Sequence, residues 1–370
     1  MTDLRAQHAD QGPEPEAPRS TFSRRQVVGF LVFAAVAIAL LYGLLPRLAG
    51  LGDTWQRIKQ GDPWWLAAAF AFELLSFGGY VALFRGVFTC EEVSLGWLTS
   101  YRITMAGVAA TRLLAAGGAG GMALTAWALR RAGMTPRTVA SRMTAFFVLL
   151  YGVFMVALLF GGVGLRSGVL PGEAPWGLTV VPAVFGAVVI AAALGLALVP
   201  HDLDRRVAEE HPSQTRRARV LRWLATVPAT VGTGVRHAIG LVRTGDVRLL
   251  GAVAWWGFDV AVLWASLHAF GESPPIAVIV MSYYVGMLAN LLPLPGGIGG
   301  VDGGMIGALI AFGVDGGAAL VAVLSYRFFA FWLPTIPGGI AYFTLVRSVR
   351  QWQAETPPLA TAGAARQPTR

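Results

Sequence analysis

Apolar residues recur along this chain in blocks long enough to cross a bilayer, and the polar residues collect between them. The runs are 27–45, 63–84, 138–162, 178–199, 249–270 and 317–346. Each approaches or exceeds the roughly 20 residues a helix needs to span the hydrocarbon core. The last is long enough to tilt, or to break at Pro334 and Pro337. Two more apolar stretches, 95–132 and 276–312, are interrupted by glycine-rich passages. Residues 107–121 read GVAATRLLAAGGAGG, and residues 286–300 read GMLANLLPLPGGIGG. Without a gap they coincide at Gly107/Gly286, Ala110/Ala289, Leu113/Leu292, Gly117/Gly296, Gly118/Gly297, Gly120/Gly299 and Gly121/Gly300. Glycine-broken apolar segments in matching halves of a membrane chain point to a binding site near the bilayer midplane.

Arginine sets the orientation. The longest polar segment, 200–248, holds Arg205, Arg206, Arg216, Arg217, Arg219, Arg222, Arg236, Arg243 and Arg248, which assigns it to the cytoplasm. Counting spans outward from it puts the turn with Arg130, Arg131 and Arg137 inside and both termini inside. Stretch 95–132 then begins and ends in the cytoplasm, while 276–312 begins and ends outside. Each reads as a re-entrant hairpin. The arms are nearly long enough to cross, so eight or more complete crossings are the alternative. The halves 27–162 and 178–346 therefore match as span, linker, span, hairpin, span, in opposite orientation. Both linkers show helical periodicity: Leu48, Leu51, Trp55 and Ile58 in one, Val220, Leu224, Val227, Val231, Val235, Ile239 and Val242 in the other. They read as amphipathic helices in the membrane interface. Against this orientation, linker 46–62 carries Arg47, Arg57 and Lys59 although it falls outside.

The expected fold is thus an all-α polytopic integral membrane protein, an inverted-topology repeat with two glycine-broken re-entrant hairpins. Residues 1–23 and 347–370 read as disordered cytoplasmic tails around one transmembrane domain, 24–346. Composition agrees, with 55% hydrophobic residues, 13% charged and a mean hydropathy of +0.60. The net charge of +9 comes from arginines lying between apolar runs, which the positive-inside rule explains without nucleic acid. Cys90 is the one cysteine, so no intramolecular disulfide or thiol-based metal site forms. With Lys59 the one lysine among many arginines, the coding bias is that of a GC-rich bacterial genome, and the expected location is the bacterial plasma membrane. No G-x-S-x-G, H-E-x-x-H or phosphate-binding Gly-Lys-Ser/Thr is present, so neither enzymatic activity nor a cofactor is expected.

The candidate site residues fall in two groups. Gly117, Gly118, Gly120 and Gly121, with Pro295, Gly296, Gly297 and Gly299, form the chain reversals. Glycine lets a ligand or another backbone approach closely, and helix amides left open there suit an anion; tight helix packing through small residues is the plainer use. The second group is charged. Glu73 and Asp259 lie mid-span in corresponding spans, where a lone carboxylate costs about 2.5–3.5 kcal/mol. Arg102, Arg112, Arg142 and Arg327 are the available cations. They either lock the halves through ion pairs or hold a headgroup phosphate, to which arginine is suited; the acids either balance them or bind a cationic headgroup. Asn290 aligns with Thr111 just before the reversals, and either hydrogen-bonds the broken backbone or a substrate. Asp302 is placed to cap the following helix.

The run Asn290-Leu-Leu-Pro-Leu-Pro295-Gly296-Gly297-Ile-Gly299-Gly-Val-Asp302, followed by the span with Arg327, resembles the flippase-like membrane region of lysylphosphatidylglycerol synthases and their stand-alone relatives. GGAGGMALTAWALRRAGM, with Arg142 beyond it, looks like the first-half counterpart, and the likeness covers about 25–348. The family commonly has glutamate where Asp302 stands, and a glutamate where this chain has Met122. The resemblance implies translocation of a lipid with an anionic or aminoacylated headgroup between leaflets, the lipid coming from a separate lipid-modifying enzyme; the alternatives are an ion or small-solute transporter and a non-transporting membrane partner of such an enzyme.

Overall fold

The computed structural model describes residues 59–90, 93–113, 119–198, 216–291 and 297–355. The apolar run 27–45 and nearly all of linker 46–62 lie outside the described residues. Helix α1, Pro63–Phe88, starts where Asp62 accepts the Trp64 amide through Oδ1 at 2.9 Å, with Pro63 in the first turn. Proline there forfeits no intrahelical bond. Helices α2 (Trp97–Leu113) and α3 (Ala119–Arg131) follow. Thr135 and Pro136 repeat the same start signal for α4, Pro136–Arg166. Next come α5 (Trp176–Ala197) and α6 (Arg216–Arg243). A 3-10 turn, Val247–Leu250, leads into α7, Gly251–Ala269. Helix α8, Ile276–Leu288, tightens into a 3-10 turn at Ala289–Leu291, and α9 is Gly300–Ala311. Helix α10, Gly316–Arg327, widens into a π-turn, Phe328–Trp332, and continues as α11, Leu333–Glu355. No strand occurs among the described residues.

Among the described residues, five helical segments are long and apolar enough to cross a membrane: Pro63–Phe88, Pro136–Arg166, Trp176–Ala197, Val247–Ala269 and Gly316–Tyr342. They coincide with five of the six apolar runs, and the chain is an all-α polytopic membrane protein. The break in the last span comes as a π-turn just before Pro334, and the helix then runs through Pro337. The periodic linker forms α6, which packs on α4 and α5. It comes close because Gly232 lies against the Leu196 carbonyl and Gly234 against Thr144. Helices α2, α3, α8 and α9 have 17, 13, 13 and 12 residues. At about 1.5 Å per residue they rise about 18–26 Å, short of the ~30 Å hydrocarbon core.

The middle of the molecule is the pair α1 and α7, packed antiparallel along their whole length. At one end the Asp62 amide donates to the Ala269 carbonyl at 2.9 Å; midway Ser76 Oγ donates to the Trp255 carbonyl at 2.9 Å; at the other end Gly86 faces Arg248. The crossing depends on missing side chains. A Cβ on Gly251 would lie 2.2 Å from the Gly79 carbonyl oxygen, and one on Gly79 2.7 Å from the Ala254 Cβ.

Around this pair the two halves repeat their contacts. In the first, α2 meets α3 where Gly107 faces Thr125; in the second, α8 meets α9 where Gly286 faces Gly304 and Met305. Thr125 and Gly304 hold the same place in the ungapped alignment that pairs Gly107 with Gly286. Between halves, α2 packs on α11 and α8 on α4, so exchanging the halves turns one contact into the other. Stacking of Phe154 on Tyr284, with ring centroids 4.8 Å apart, fills the α4–α8 contact.

Gly251→Ala forces the α1–α7 crossing apart, and overpacking of this kind costs about 1–3 kcal/mol. A clear fall in the thermal unfolding midpoint of the purified protein in detergent is expected. Gly257→Ala, on the same helix with nothing within 4 Å of its would-be Cβ, should leave the midpoint in place. Equal behaviour of the two variants would contradict the crossing.

Candidate functional site

A cavity of about 620 Å³ lies between the halves and takes walls from both. The first half contributes Glu73 of α1, Thr111 and Arg112 of α2, and Gly121 of α3; the second contributes Asp259 of α7, Asn290, Gly297, and Tyr326 and Arg327 of α10. Aromatic and aliphatic side chains such as Phe84, Phe146, Leu150 and Phe154 complete it. A mostly apolar hollow with a few convergent charges is the usual form of a small-molecule site, and its volume is in the usual range.

Each charged group in the wall is held by a different device. Arg327 and Asp302 form a buried ion pair, Nε to Oδ1 2.6 Å, with side-chain exposures of 7% and 1%. That contact is charge attraction rather than an aligned hydrogen bond, since Oδ1 has no donor at hydrogen-bond angles. The other oxygen, Oδ2, accepts the Gly299 amide at 2.8 Å. Asp302 therefore caps α9, as its position after the glycines leads one to expect, and also anchors Arg327 at the cavity wall. Asp259 accepts the hydroxyls of Tyr283 and, at 3.2 Å, Tyr326. Glu73 is buried, lies within direct electrostatic reach of Asp259 and Arg112, and has an Oε2 without a hydrogen-bond donor among the described residues.

Arg112 reaches across to the other half. Its Nη1 donates to the Phe331 carbonyl at 2.7 Å and its Nη2 to the Ala330 carbonyl at 2.8 Å, with Thr335 Oγ1 3.4 Å from Nη1. Both carbonyls belong to the π-turn. A π-turn shifts the hydrogen-bond ladder by one residue, and Pro334 has no amide hydrogen to give Ala330, four residues before it. The Ala330 carbonyl is thus left without its usual ladder donor, and the guanidinium fork of Arg112 serves it together with the neighbouring Phe331 carbonyl. The Phe331 ring sits beside both arginines, 4.9 Å from the Arg112 guanidinium carbon and 4.7 Å from that of Arg327.

The glycines act locally. Gly297 has φ 65°, and a Cβ there would fall 2.5 Å from Asn290 Oδ1. Thr111 Oγ1 would stand 2.1 Å from a Cβ on Gly121. The aligned residues Thr111 and Asn290 each face a glycine of their own passage. Gly117, Gly118, Pro295 and Gly296 lie outside the described residues, and neither Gly120 nor Gly299 is among the cavity-lining residues.

One placement differs from the sequence grouping. Arg142, grouped by sequence with the phosphate-holding arginines, is not at the cavity. It donates to the Val87 carbonyl, with the Thr89 carbonyl 3.5 Å away; a basic side chain is satisfying the last carbonyls of α1, as is common at helix C-termini. Of the two readings of Glu73 and Asp259, ion pairing with the arginines is not seen among the described residues. Arg327 meets Asp302, Arg112 meets carbonyls, and Asp259 meets tyrosines. Sequence reasoning missed Tyr283, Tyr326 and Phe331. The one signal available was that Tyr326 and Phe331 flank an intramembrane arginine just ahead of Pro334.

A family model described as the lysylphosphatidylglycerol synthase TM region matches residues 26–338. The chain belongs to that family. A UPF0104 membrane protein of the archaeon Methanothermobacter thermautotrophicus is 23% identical over 340 residues, which is 86% of this chain and 93% of the relative. A UPF0104 membrane protein of the same organism is 28% identical over 116 residues, 29% of this chain and 34% of the relative. The resemblance carried by the second glycine passage and Arg327 is borne out across nearly the whole chain. Within this lysylphosphatidylglycerol synthase-like membrane region, Asp302 is an anchor for a cavity arginine as well as a cap.

Removing the Asp302 charge strands Arg327 inside the protein, and breaking a buried pair from one side costs about 3–5 kcal/mol. Asp302→Asn is therefore expected to lower thermal stability sharply in detergent. The double variant Asp302→Asn/Arg327→Gln should recover much of the loss, and a double variant as unstable as the single one would deny the pairing its importance.

Proposed function

We propose that this protein carries a phospholipid, an aminoacylated lipid or a lipid-linked molecule between the leaflets of a bacterial plasma membrane, without catalysing a covalent step. Membership of the lysylphosphatidylglycerol synthase membrane-region family links the chain to lipid handling. The observation that carries the proposal is the charged cavity shared by the two halves: two guanidinium groups and two carboxylates around an otherwise apolar hollow. Acyl chains can stay among apolar walls and lipid while the polar headgroup occupies the charged part. Arg112 and Arg327 hold the phosphate, Asp302 keeps Arg327 aimed, and Glu73 faces the headgroup's remaining polar part.

The inverted repeat and re-entrant hairpins belong to the same proposal. Antiparallel packing of the corresponding helices α1 and α7 supports inversion, because an axis in the membrane plane reverses equivalent helices. Hairpin arms shorter than the hydrocarbon core support re-entrance. In this reading the termini are cytoplasmic, the hairpins open alternately to either side, and a separate enzyme supplies the lipid.

The test is headgroup accessibility in proteoliposomes, using labelled short-chain phosphatidylglycerol and an impermeant quencher. Wild-type protein is expected to speed leaflet exchange over protein-free vesicles. Arg327→Lys, which keeps the charge but loses the planar fork, and Glu73→Gln should each slow it about tenfold, which corresponds to ~1.4 kcal/mol. Exchange no faster than in protein-free vesicles, or unaffected by both substitutions, would remove the proposal.

A further inference from the structure

We infer that Arg112 is the anion-holding group of the cavity and that it works by exchange: to take a phosphate ester, its guanidinium must let go of the Ala330 and Phe331 carbonyls, so anion binding unfastens the first hairpin from the last span of the second half. This rests on the translocator reading, whose site it refines.

The two cavity arginines differ in what satisfies them. Arg327 is neutralised at 2.6 Å by a carboxylate that is itself buried. Arg112 meets only neutral partners among its contacts: two carbonyls, a threonine hydroxyl and an aromatic ring. Glu73 is near enough to act on it electrostatically but not to form an ion pair among the described residues. A guanidinium held by neutral carbonyls is open to competition, because charge-assisted bonds to phosphate are roughly twice as strong as those to neutral acceptors and use the same planar fork.

Letting go is inexpensive on the other side too. The Phe331 carbonyl also accepts the Thr335 hydroxyl at 2.7 Å, so it stays bonded when Arg112 leaves. Ala330 is the carbonyl that Pro334 cannot serve, but Ala330 lines the cavity, where water or the arriving ligand can reach it. The fastening is placed to matter mechanically. Arg112 is in the last turn of α2, next to the first glycine passage, and α2 lies tightly on α11, with Gly338 against Ala109 and the Met105 carbonyl. Releasing one guanidinium frees the hairpin end that must move.

Because the coupling is reciprocal, a weaker fastening must give tighter anion binding. Pro334→Ala provides this case, since it supplies an amide hydrogen to the Ala330 carbonyl and so competes with Arg112 without touching the arginine.

The experiment uses the full chain in phosphate-free maltoside micelles, with Cys90→Ser and spin labels at Tyr101 of α2 and Ile340 of α11, both exposed. The distance between labels is read while dioctanoyl phosphatidylglycerol, dioctanoylglycerol or inorganic phosphate is added. Phosphatidylglycerol is expected to lengthen it and dioctanoylglycerol to leave it unchanged. A response to inorganic phosphate alone supports exchange with a free anion as the ligand, and a response confined to phosphatidylglycerol supports the lipid. Arg112→Gln should show the long distance from the outset and no further change. Pro334→Ala should bind phosphatidylglycerol about fivefold or more tightly than wild type. A wild-type distance unmoved at saturating lipid, or unchanged affinity in Pro334→Ala, overturns the exchange even where headgroup movement in proteoliposomes is intact. Headgroup movement absent from vesicles while the distance still responds would instead sink the translocator reading and leave the exchange standing.

Discussion

Inside a hydrocarbon layer no water is available to satisfy a bare carbonyl, amide or charge, so the protein must supply every partner itself. That constraint accounts for the features of the cavity wall better than any preference of single residues. Asp302 keeps α9 capped and Arg327 neutral at once. Asp259 is held by two tyrosine hydroxyls from different helices. The π-turn before Pro334 presents the Ala330 and Phe331 carbonyls at the cavity wall, and Arg112 covers them. In each case a polar group needed at membrane depth becomes a contact between helices that are far apart in sequence.

The same constraint explains why glycine is used so heavily at the interfaces. Without water, lipid chains are as apolar as leucine, and helices associate through close approach and van der Waals contact rather than through the hydrophobic effect. The α1–α7 crossing has backbone meeting backbone at Gly79 and Gly251. The hairpins close in the same way at Gly107 and Gly286. Once backbones touch, small shifts at one crossing reach the next, as the proposed rocking of two halves around a central cavity would require.

Much of this was legible in the sequence. Five spans, the linker helix and the short apolar helices beside the two glycine passages follow from hydropathy and period, because a membrane imposes length and apolarity directly on consecutive residues. The pairing of charges was not legible. Arg327 and Arg142 each sit in the span after a hairpin, which made them look equivalent. Yet Arg142 serves the end of α1 and Arg327 serves the cavity. Depth along a helix and the direction of a side chain decide such roles, and neither is written in span order. The partners of Asp259 were illegible for a related reason. Tyrosine hydroxyls satisfy a carboxylate without being charged, so a search for opposite charge passes over Tyr283 and Tyr326. The π-turn has no sequence signature beyond Pro334, since the same proline also fits a kink or a break.

The halves match in backbone but not in chemistry. In the ungapped alignment Arg112 stands against Leu291, and Asp302 against Ala123. In the proposed translocator, duplicated backbone contacts would let each half take the other's conformation in opposite-facing states. The proposed headgroup, by contrast, is a single object with a fixed arrangement of charges, to be met by one cavity. A symmetric set of side chains would offer it two equivalent and mutually repelling arginine sites. Placing one arginine, neutralised by Asp302, in the second half, and another, held by neutral partners, in the first gives the cavity one rigid cation and, in the proposed exchange, one releasable one. The rigid group can orient a phosphate, and the exchangeable group can report its arrival to the helix that moves.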